Sequence, residues 1–424
     1  MIIFIIKGLL RDRHRSLFPI IMVTIGVFIT VFFQAFMGGI LTEMVDSTAR
    51  FSTGHVKIMS RAYMENEDQL PNDLALTEVD AIMKDLNHEY PDITWVKRIK
   101  YGGLLDIPDK NGETRSQGTV AGFGVDLLDP KSTEISTLNI ANSIVSGRMP
   151  EKPGEILISD EMARDLEIAL GDKATLISST MFGSMAIYNF KVVGTIKFGI
   201  PMMDRGAMIA DIHDIQKALN MEDAAGEILG YLPGGVYNDK VCAKIVENFN
   251  GGYTDNDSDF APVMSKLQEI SGLSDYLALA NNMAGSIAMI FVIIMSIVLW
   301  NAGLLGGLRR YGEIGVRLAI GEHKGHVYSS LLVESVAIGL VGSVIGTGIG
   351  LMMAYWMQTR GWDFSNTMKN VNMMIPLIFR ARITSVTYYI GFFPGLVSTL
   401  LGTALAGIGI YKRQTASLFK ELET

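Results

Sequence analysis

The sequence predicts a membrane α-helical protein: four transmembrane helices plus a large α+β extracytoplasmic domain inserted between helices 1 and 2. Three observations support this prediction. The chain of 424 residues contains four long stretches without any Asp, Glu, Lys or Arg. A polar segment, residues 43–275, separates the first stretch from the second, and basic residues cluster in short segments beside the apolar stretches. Together these features exclude a soluble single-domain enzyme.

Each of the four charge-free stretches is long enough to cross a lipid bilayer. A transmembrane helix needs about 20 predominantly apolar residues, whereas an apolar run of roughly 10–14 is typical of a buried helix in a soluble protein. The four stretches are Ser16–Thr42, Tyr276–Leu308, Ser335–Thr359 and Ile383–Tyr411. We therefore predict transmembrane helices at 16–42, 276–308, 327–359 and 383–411.

The basic residues predict the orientation of these helices. Cytoplasmic loops carry an excess of Lys and Arg, whereas a large domain is translocated largely regardless of its charge. Segments 1–15, 309–326 and 412–424 are rich in basic residues and are predicted to be cytoplasmic. Both termini then lie inside and residues 43–275 lie outside. By helix parity the short loop 360–382 also lies outside, although it carries four basic residues.

The amino-terminal segment 1–15 has two interpretations. Its apolar residues around Lys7 suit an amphipathic elbow helix on the cytoplasmic surface, and a frayed extension of the first transmembrane helix is the alternative. The apolar stretch that follows is longer than the roughly 7–15 residues of a signal-peptide core, and no clear small-x-small cleavage site follows it. We therefore predict an uncleaved anchor.

Charge is distributed unevenly along the chain, which carries −8 as a whole. Residues 43–275 contain 21 basic and 37 acidic residues, a net charge of −16, whereas the rest contains 15 and 7, a net charge of +8. Nucleic-acid-binding proteins present a basic surface to the phosphates. The acidic outer segment therefore argues against nucleic acid as a partner.

The polar segment 43–275 alternates between strand and helix patterns, which predicts a mixed α+β domain. Strand-like alternation occurs at Thr53–Met59, Ile93–Ile99, Thr119–Val125, Glu155–Ile158 and Phe190–Ile196. A helix is predicted over Leu76–Leu86, with Thr77 as its N-cap, because its apolar residues share one face. Shorter helices are predicted near Asp160–Leu166 and at Ile212–Leu219.

The sequence predicts no catalytic residues and no metal site. The six histidines lack metal-binding spacing; His323 and His326 are three residues apart, but no third ligand is evident nearby. No G-x-S-x-G nucleophile motif occurs. Cys242 is the only cysteine, which excludes an internal disulfide and favours a buried thiol.

Glycines recur at four-residue intervals in two of the predicted transmembrane helices. Small residues at this interval allow helix backbones to approach closely in lipid, although glycine is also generally tolerated in membrane helices. The predicted helix-packing residues are Gly303, Gly307, Gly342, Gly346 and Gly350. The four charge-free stretches contain no histidine either, so they lack the groups typical of ion or proton pathways. An ion-coupled transporter is therefore disfavoured.

The predicted cytoplasmic loop 309–326 has the pattern of a short helix. Arg309, Glu313 and Arg317 are spaced i, i+4, i+8, so one helix face would carry alternating charges. Ile314 and Leu318 lie beside that face, and Gly321 is a natural C′ residue. Taken alone, the pattern also fits a positively charged helical loop without a partner.

This loop and its flanks resemble the FtsX-like, MacB-type family of ABC transporter permeases, and the layout is most similar to the lipoprotein-releasing LolC/LolE permeases. The resemblance lies in Gly285–Ala288, Asn301, Arg310–Gly321, Leu331–Glu334, and Gly342 with Gly346. Looser matches in the outer segment are Gly54–Val56, Gly154–Ile158 and Phe190–Gly194. The order of one helix, a large outer domain and three further helices is also that of the family.

The resemblance implies a non-catalytic permease subunit in the bacterial inner membrane, with a periplasmic MacB-like domain. In the family, the loop after the second helix is a coupling helix that docks on an ATPase, and the periplasmic domain moves with the nucleotide cycle. The implied coupling residues are Arg309, Arg310, Glu313, Ile314, Arg317, Leu318 and Gly321. The sequence contains no G-x-x-x-x-G-K-[ST] phosphate loop. We therefore expect no cofactor on this chain, and ATP and Mg on a partner ATPase.

The resemblance also sets expectations for the other partners. A dimer with a second copy or a paralogue is expected, because one coupling helix serves half of a machine with two ATPases. Membrane lipid surrounds the helices, and the expected cargo is a lipoprotein or another amphiphile. Two alternatives stay open: a macrolide or peptide efflux permease working with a periplasmic adaptor, and an FtsX-like regulator of a cell-wall hydrolase.

Overall fold

The computed structural model describes residues 13–253, 258–269, 285–286, 289–290, 292–298, 300–301, 316–363, 373–374 and 378–412. The chain divides into two compact units. The helical unit comprises Met1–Glu43, Tyr276–Trp362 and Ile378–Thr424. The α+β unit comprises Met44–Asp275 and Asp363–Leu377, so much of the predicted loop 360–382 groups with the α+β unit.

Helices occur in both units. They are α1 (Arg13–Thr48), α2 (Arg61–Glu65), α3 (Val79–Glu89), α4 (Glu134–Thr137), α5 (Asp160–Asp165), α6 (Pro201–Gly206), α7 (Ile212–Leu219), α8 (Asp239–Gly251), α9 (Lys324–Arg360), α10 (Ser385–Tyr389) and α11 (Phe392–Lys412). A π-helical turn, Ala49–Thr53, follows α1 directly.

Most of the strands belong to the α+β unit. They are β1 (Val56–Ser60), β2 (Leu76–Thr77), β3 (Thr94–Pro108), β4 (Thr114–Val125), β5 (Ile144–Gly147), β6 (Glu155–Ser159), β7 (Lys173–Ser179), β8 (Met185–Ile196), β9 (Ala207–Asp211), β10 (Ala224–Ala225), β11 (Glu227–Tyr231), β12 (Pro262–Lys266), β13 (Trp362–Asp363) and β14 (Ile378–Phe379).

Three helices among the described residues are long and apolar enough to cross a membrane. They are Leu17–Thr53, Lys324–Arg360 and Ser385–Gly407, at the places where the sequence predicts the first, third and fourth transmembrane helices. The second predicted helix, 276–308, lies partly outside the described residues, and its described residues are helical. Of the predicted elbow 1–15, only residues 13–15 are described, and they begin α1.

The ends of two helices differ from the sequence prediction. Helix α1 extends beyond the predicted 16–42 at both ends, because a charged residue such as Glu43 ends an apolar stretch without ending a helix. The predicted helix 383–411 is interrupted after α10 and resumes as α11. Pro394 lies in the first turn of α11, where its missing N–H costs no helical hydrogen bond.

The long strands of the α+β unit close into a barrel. Strand β3 pairs with β4, β4 with β9, β9 with β6, β6 with β8, β8 with β7, and β7 again with β3. Beyond the ring, β3 also pairs with β11, which leads through β1 to β12. Strand β3 therefore belongs both to the barrel and to an antiparallel extension.

Alternating residues of the barrel strands fill two cores on opposite faces. Side chains such as Leu105, Ile158 and Phe190 point inward and form one cluster with the extension and with α3 and α8. Residues one position away, such as Leu157 and Val193, form a second cluster outside β6, β8 and β9. The outward-facing side chains of β7 and of the first half of β8 are exposed or half-buried.

Helix α3 begins later than the sequence predicts. Its first residue is Val79 rather than Leu76, and the predicted N-cap Thr77 lies in β2, paired with Ala224 of β10. The N-terminal N–H groups are instead satisfied by Asp223, whose backbone oxygen accepts from Val79 at 3.2 Å and whose carboxylate accepts from Asp80 at 2.9 Å. The prediction was wrong because the capping residue lies far away in sequence.

Candidate functional site

The described part of the predicted coupling segment ends as a helix terminated by glycine. Gly321 has a φ of +96°, and its N–H donates to the Leu318 carbonyl at 3.1 Å. The Glu322 N–H donates to the Arg317 carbonyl at 3.1 Å, which completes a Schellman motif. The end predicted at Gly321 is therefore present. Arg309, Arg310, Glu313 and Ile314 lie outside the described residues.

Arg317 has a partner that the sequence pattern did not indicate. Its Nε and Nη2 donate to the Glu322 carboxylate at 2.6 and 2.8 Å, and Nδ1 of His326 lies 2.6 Å from the same carboxylate. The hydrogen bonds from Arg317 and then from His326 lower the pKa of Glu322. This network connects the end of the short helix to the first turn of α9.

Three of the predicted helix-packing glycines lie against the first helix. A Cβ on Gly342 would lie 2.7 Å from Cγ1 of Val23, and one on Gly350 would lie 2.8 Å from Cγ1 of Val31. A Cβ on Gly346 would lie 2.7 Å from the Thr24 carbonyl. The stripe therefore packs α9 closely on α1, which is the approach that small residues at this spacing favour. Gly303 and Gly307 lie outside the described residues.

A second arrangement holds the π-helical turn at the end of α1. Nη1 of Arg98 donates to the Arg50 carbonyl at 2.8 Å, and Nζ of Lys100 donates to the Ser52 carbonyl at 3.2 Å. The Tyr231 hydroxyl lies 3.3 Å from the carbonyl oxygens of both Ala49 and Arg50. The carbonyls at a helix C-terminus carry partial negative charge, so cations stabilise this end.

Buried carboxylates balance these cations. Arg98 donates from Nε and Nη2 to Glu134 at 2.8 and 3.0 Å, and the two side chains are 1% and 0% exposed. Nζ of Lys100 lies 3.0 Å from Oε1 of Glu227, and Nζ of Lys57 lies 3.1 Å from Oε2 of the same carboxylate. We call Arg98, Lys100, Glu134, Glu227 and Tyr231 the buried clamp.

Electrostatics keep Glu227 and Arg98 of the buried clamp charged. Burial alone would raise the pKa of Glu227, but Lys100, Lys57 and Arg98 act in the opposite direction and lower it to about 2. Burial likewise opposes the charge on Arg98, and the neighbouring Glu134 carboxylate raises its pKa nevertheless. Removing one partner from such a network leaves an uncompensated buried charge.

The clamp follows from strand register. Arg98 and Lys100 are two residues apart on β3, so they lie on the same face, and Arg98 is in register with Glu227 of β11. Sequence reasoning found only the strand Ile93–Ile99. The available signal was weak: Arg98 and Lys100 are two positions apart, but Lys97 lies beside them on the opposite face of the strand.

His55 lies beside the clamp, just after the π-helical turn. Its Nδ1 accepts a hydrogen bond from the Leu232 N–H at 2.9 Å, and its ring meets Tyr231 and Tyr237 edge to face. Burial lowers the pKa of His55 to about 4, so the ring is neutral at neutral pH. The looser family match at Gly54–Val56 thus coincides with buried residues between the π-helical turn and β1.

These contacts hold helix ends and a helix pair in place. Among the residues that the structure describes, no group of three His, Cys, Asp or Glu side chains is placed to hold a metal ion. The described features are a glycine-packed helix pair, an ion-paired helix end and a clamp on a helix terminus. With the membrane-length helices and the closed barrel, they define a membrane protein that carries a large folded α+β domain.

Comparison with known families identifies this class more closely. Residues 16–247 match the MacB-like periplasmic core domain, and residues 285–415 match the FtsX-like permease C-terminal domain. The first match alone covers more than half of the chain. The chain therefore belongs to the family of ABC transporter permeases with a MacB-like periplasmic core domain and an FtsX-like C-terminal domain.

Three relatives illustrate the range of this family. The chain is 28% identical to the uncharacterized ABC transporter permease YknZ of Bacillus subtilis over 33% of this chain and 36% of YknZ. It is 20% identical to the macrolide export ATP-binding/permease protein MacB of Campylobacter jejuni over 92% of this chain and 58% of MacB. It is 22% identical to the lipoprotein-releasing system transmembrane protein LolC of Xylella fastidiosa over 66% and 67%. The chain spans less than two thirds of the first two relatives.

Proposed function

We propose that this chain is the transmembrane subunit of a mechanotransmission ABC transporter, in which ATP hydrolysis by a separate ATPase subunit moves the periplasmic domain. The buried clamp is the observation that carries this proposal. It binds the backbone carbonyls of the turn after α1 through Arg98, Lys100 and Tyr231. A movement of that helix end would displace β3 and β11 with it.

Helix α1 is suited to carry such a movement. Its 36 residues correspond to a length of about 54 Å at 1.5 Å per residue. The glycine stripe of α9 packs on it at Val23 and Val31. We propose that four transmembrane helices form a multi-pass subunit of the bacterial inner membrane, with both termini in the cytoplasm.

The coupling segment is proposed to be the ATPase contact. In this proposal, Arg309, Arg310, Glu313, Ile314, Arg317, Leu318 and Gly321 dock on the ATPase, which binds ATP and Mg. The Arg317–Glu322–His326 network supports this role, because it connects the coupling segment to the first turn of α9. A movement of the docked segment would therefore be passed to α9. A dimer of permeases would present two such segments.

The coupling assignment is tested by charge reversal. Glu313→Lys and Arg317→Glu should leave the chain inserted in the membrane and reduce its co-purification with the ATPase. Glu322→Gln is the matched control for Arg317, since it weakens the same internal network without changing the charge at position 317. Unchanged ATPase association in both reversal variants would refute the assignment.

For cargo we propose release of lipoproteins, or transport of another amphiphile, from the inner membrane. The LolC relative supports this version, because the alignment covers two thirds of both chains. Macrolide or peptide efflux with a periplasmic adaptor is the second candidate, supported by a MacB alignment over 92% of this chain. Regulation of a cell-wall hydrolase is the third candidate.

Mass spectrometry of the complex purified from native membranes distinguishes these activities. Co-purified lipoproteins would support release, a periplasmic adaptor would support efflux, and a hydrolase would support regulation. A Tyr231→Phe variant purified in parallel tests the clamp. If the clamp transmits the movement, nucleotide trapping should change hydrogen exchange in β3 of the wild type and change it less in the variant.

A further inference from the structure

The hairpin formed by β7 and β8 exposes large apolar side chains near its tip. Phe182, Met185 and Ile187 are 73%, 74% and 63% exposed. The turn between the strands is closed by backbone hydrogen bonds from Thr180 to Ser184 at 2.7 Å and from Gly183 to Thr180 at 3.0 Å. Single exposed apolar residues are ordinary, whereas a contiguous group is typical of an interaction surface.

Ile187 also belongs to a row of apolar side chains that crosses three strands. Leu104 of β3 is in register with Ile177 of β7, which is in register with Ile187 of β8. Directly paired residues point to the same face of a sheet. Since Leu176 and Ala186, one position away, are buried in the barrel core, this row lies on the outer face.

The other end of the same face carries two lysines opposite each other. Lys173 of β7 pairs directly with Lys191 of β8, and both side chains are exposed. Like charges in this position destabilise a strand pair. Within the described part of the chain, no carboxylate lies at ion-pair distance from either ammonium group. Glu155 of β6 is in register with Lys191 but pairs with Arg148 at 2.6 Å, and Asp106, in register with Thr175 on the same face, pairs with neither lysine.

A polar row separates the lysines from the apolar residues. The Thr175 hydroxyl donates to Oδ1 of Asn189 at 2.9 Å, which confirms that both side chains lie on this face. From the Lys173–Lys191 pair to the Ser179–Met185 pair is six residues, or about 20 Å at 3.3–3.4 Å per residue. The face thus has a cationic end and an apolar end about one extended acyl chain apart.

We propose that this outer face of the β7–β8 hairpin, the amphipathic stripe of Lys173, Lys191, Ile177, Ile187, Met185 and Phe182, binds an anionic amphiphile with a phosphate head group and a fatty acyl chain. The two lysines bind the phosphate, and the apolar residues contact the chain. The proposal deepens the proposed function, on which it rests, by giving the cargo a chemical class and a surface.

The occupant is a single amphiphile lying along the stripe. Ile177 and Ile187 lie four residues along β7 and β8 from the Lys173–Lys191 pair and on the same face, so a ligand parallel to these strands contacts the lysines and the apolar residues. In an amphiphile with an extended acyl chain, the head group and the chain end would be separated by about the 20 Å between the Lys173–Lys191 pair and the Ser179–Met185 pair. An acidic apolar protein surface would meet the same residues, and the experiment distinguishes it.

Photolabelling of the full-length protein tests the proposal. The protein in amphipol is exposed to lysophosphatidylglycerol carrying a diazirine in its acyl chain, and labelled peptides are identified by mass spectrometry. Labelling of the membrane helices serves as the internal reference. The zwitterionic lysophosphatidylcholine with the same chain controls for the head group.

Label should appear in peptides covering 173–191 and should be stronger for the anionic probe. K173E/K191E should lower it about tenfold, the ratio that corresponds to roughly 1.4 kcal/mol. The matched control K84E/K244E changes the same number of exposed charges on α3 and α8 and should leave it unchanged. M185S/I187S should lower labelling by both probes.

Equal labelling in wild type and K173E/K191E would overturn the proposal, as would label confined to the membrane helices. Loss of a co-purifying protein from K173E/K191E, with unchanged lipid labelling, would also overturn it and identify a protein interface. ATPase association is measured on the same preparations. A failed labelling experiment with intact ATPase association refutes only the stripe, whereas loss of association in wild type refutes the proposed function.

Discussion

The Arg98 guanidinium holds the Glu134 carboxylate through two hydrogen bonds, at 2.8 and 3.0 Å, inside the α+β unit. Both side chains are buried, and Nη1 of Arg98 donates to the Arg50 carbonyl in the turn at the end of α1. One side chain thus neutralises a buried carboxylate and binds a helix terminus.

Arg98→Ala should lower the free energy of unfolding of the α+β unit by about 3–5 kcal/mol, because it leaves the buried Glu134 carboxyl group without its partner. Pulse proteolysis of the full-length protein in urea measures this loss. Arg164→Ala, which breaks an exposed pair with Asp160, should cost less than about 1 kcal/mol. The double variant Arg98→Met/Glu134→Leu should recover part of the loss, and no recovery would mean that the pair contributes more than charge balance.

Tyr231→Phe should loosen the end of α1 while preserving ring packing. The variant loses the hydroxyl contacts to Ala49, Arg50 and Arg98. We expect a loss of about 1–2 kcal/mol and faster hydrogen exchange at residues 49–54, measured by mass spectrometry. Tyr237→Phe is the matched control, because its ring also packs on His55 but its hydroxyl binds Asp239. Equal acceleration in both variants would contradict a specific role for Tyr231.

Stability should fall as the pH drops from about 6.5 to about 4, because of His55. Burial lowers its pKa to about 4 in the folded protein from 6.5 in the unfolded chain, so in this window the unfolded chain binds more protons. The contribution is present above pH 6.5 and is lost towards pH 4, with a slope of at most about 1.4 kcal/mol per pH unit. His55→Asn keeps an acceptor for the Leu232 N–H without titrating, and unfolding midpoints across this range should show a smaller slope. An identical slope in the variant would assign the pH dependence to other groups.

Gly346→Ala should weaken the packing of α9 on α1. The added Cβ would lie 2.7 Å from the Thr24 carbonyl, so the helices must separate, at a cost of about 1–3 kcal/mol. Thermal unfolding in nanodiscs measures the effect. Gly348→Ala is the control on the same helix, since its Cβ meets nothing within 4 Å, and alanine should maintain or slightly raise stability. A lower melting temperature for Gly348→Ala than for Gly346→Ala would contradict the packing assignment.

The sequence predicted the elements whose signals are local. The apolar stretches give the three membrane-length helices, and alternation gives β6 close to its observed bounds and β8 from Phe190 to its end, although β8 begins at Met185. Gly321 ends its helix as predicted, because a left-handed C′ residue is a local requirement. The coupling role of the segment stays a prediction.

What the sequence did not predict depends on contacts between distant residues. The cap of α3 comes from Asp223, and the glycines of α9 face Val23 and Val31 of α1. Closure of the barrel depends on the pairing of β7 with β3, which no local pattern indicates. The clamp could not be predicted for the same reason: Arg98, Glu134 and Tyr231 are neighbours only after the strands have paired.

Strand β3 closes the barrel and also connects two other features of the α+β unit. Its first half carries Arg98 and Lys100, which bind the helix terminus, and Leu104, six residues after Arg98, belongs to the apolar row of the hairpin face. One unbroken peptide segment therefore links the anchoring point of a membrane helix to the proposed cargo surface over about 20 Å. Because an extended strand neither stretches nor compresses readily, the proposed mechanism predicts that a displacement at Arg98 also displaces Leu104, so that helix movement and cargo release would be coupled along β3.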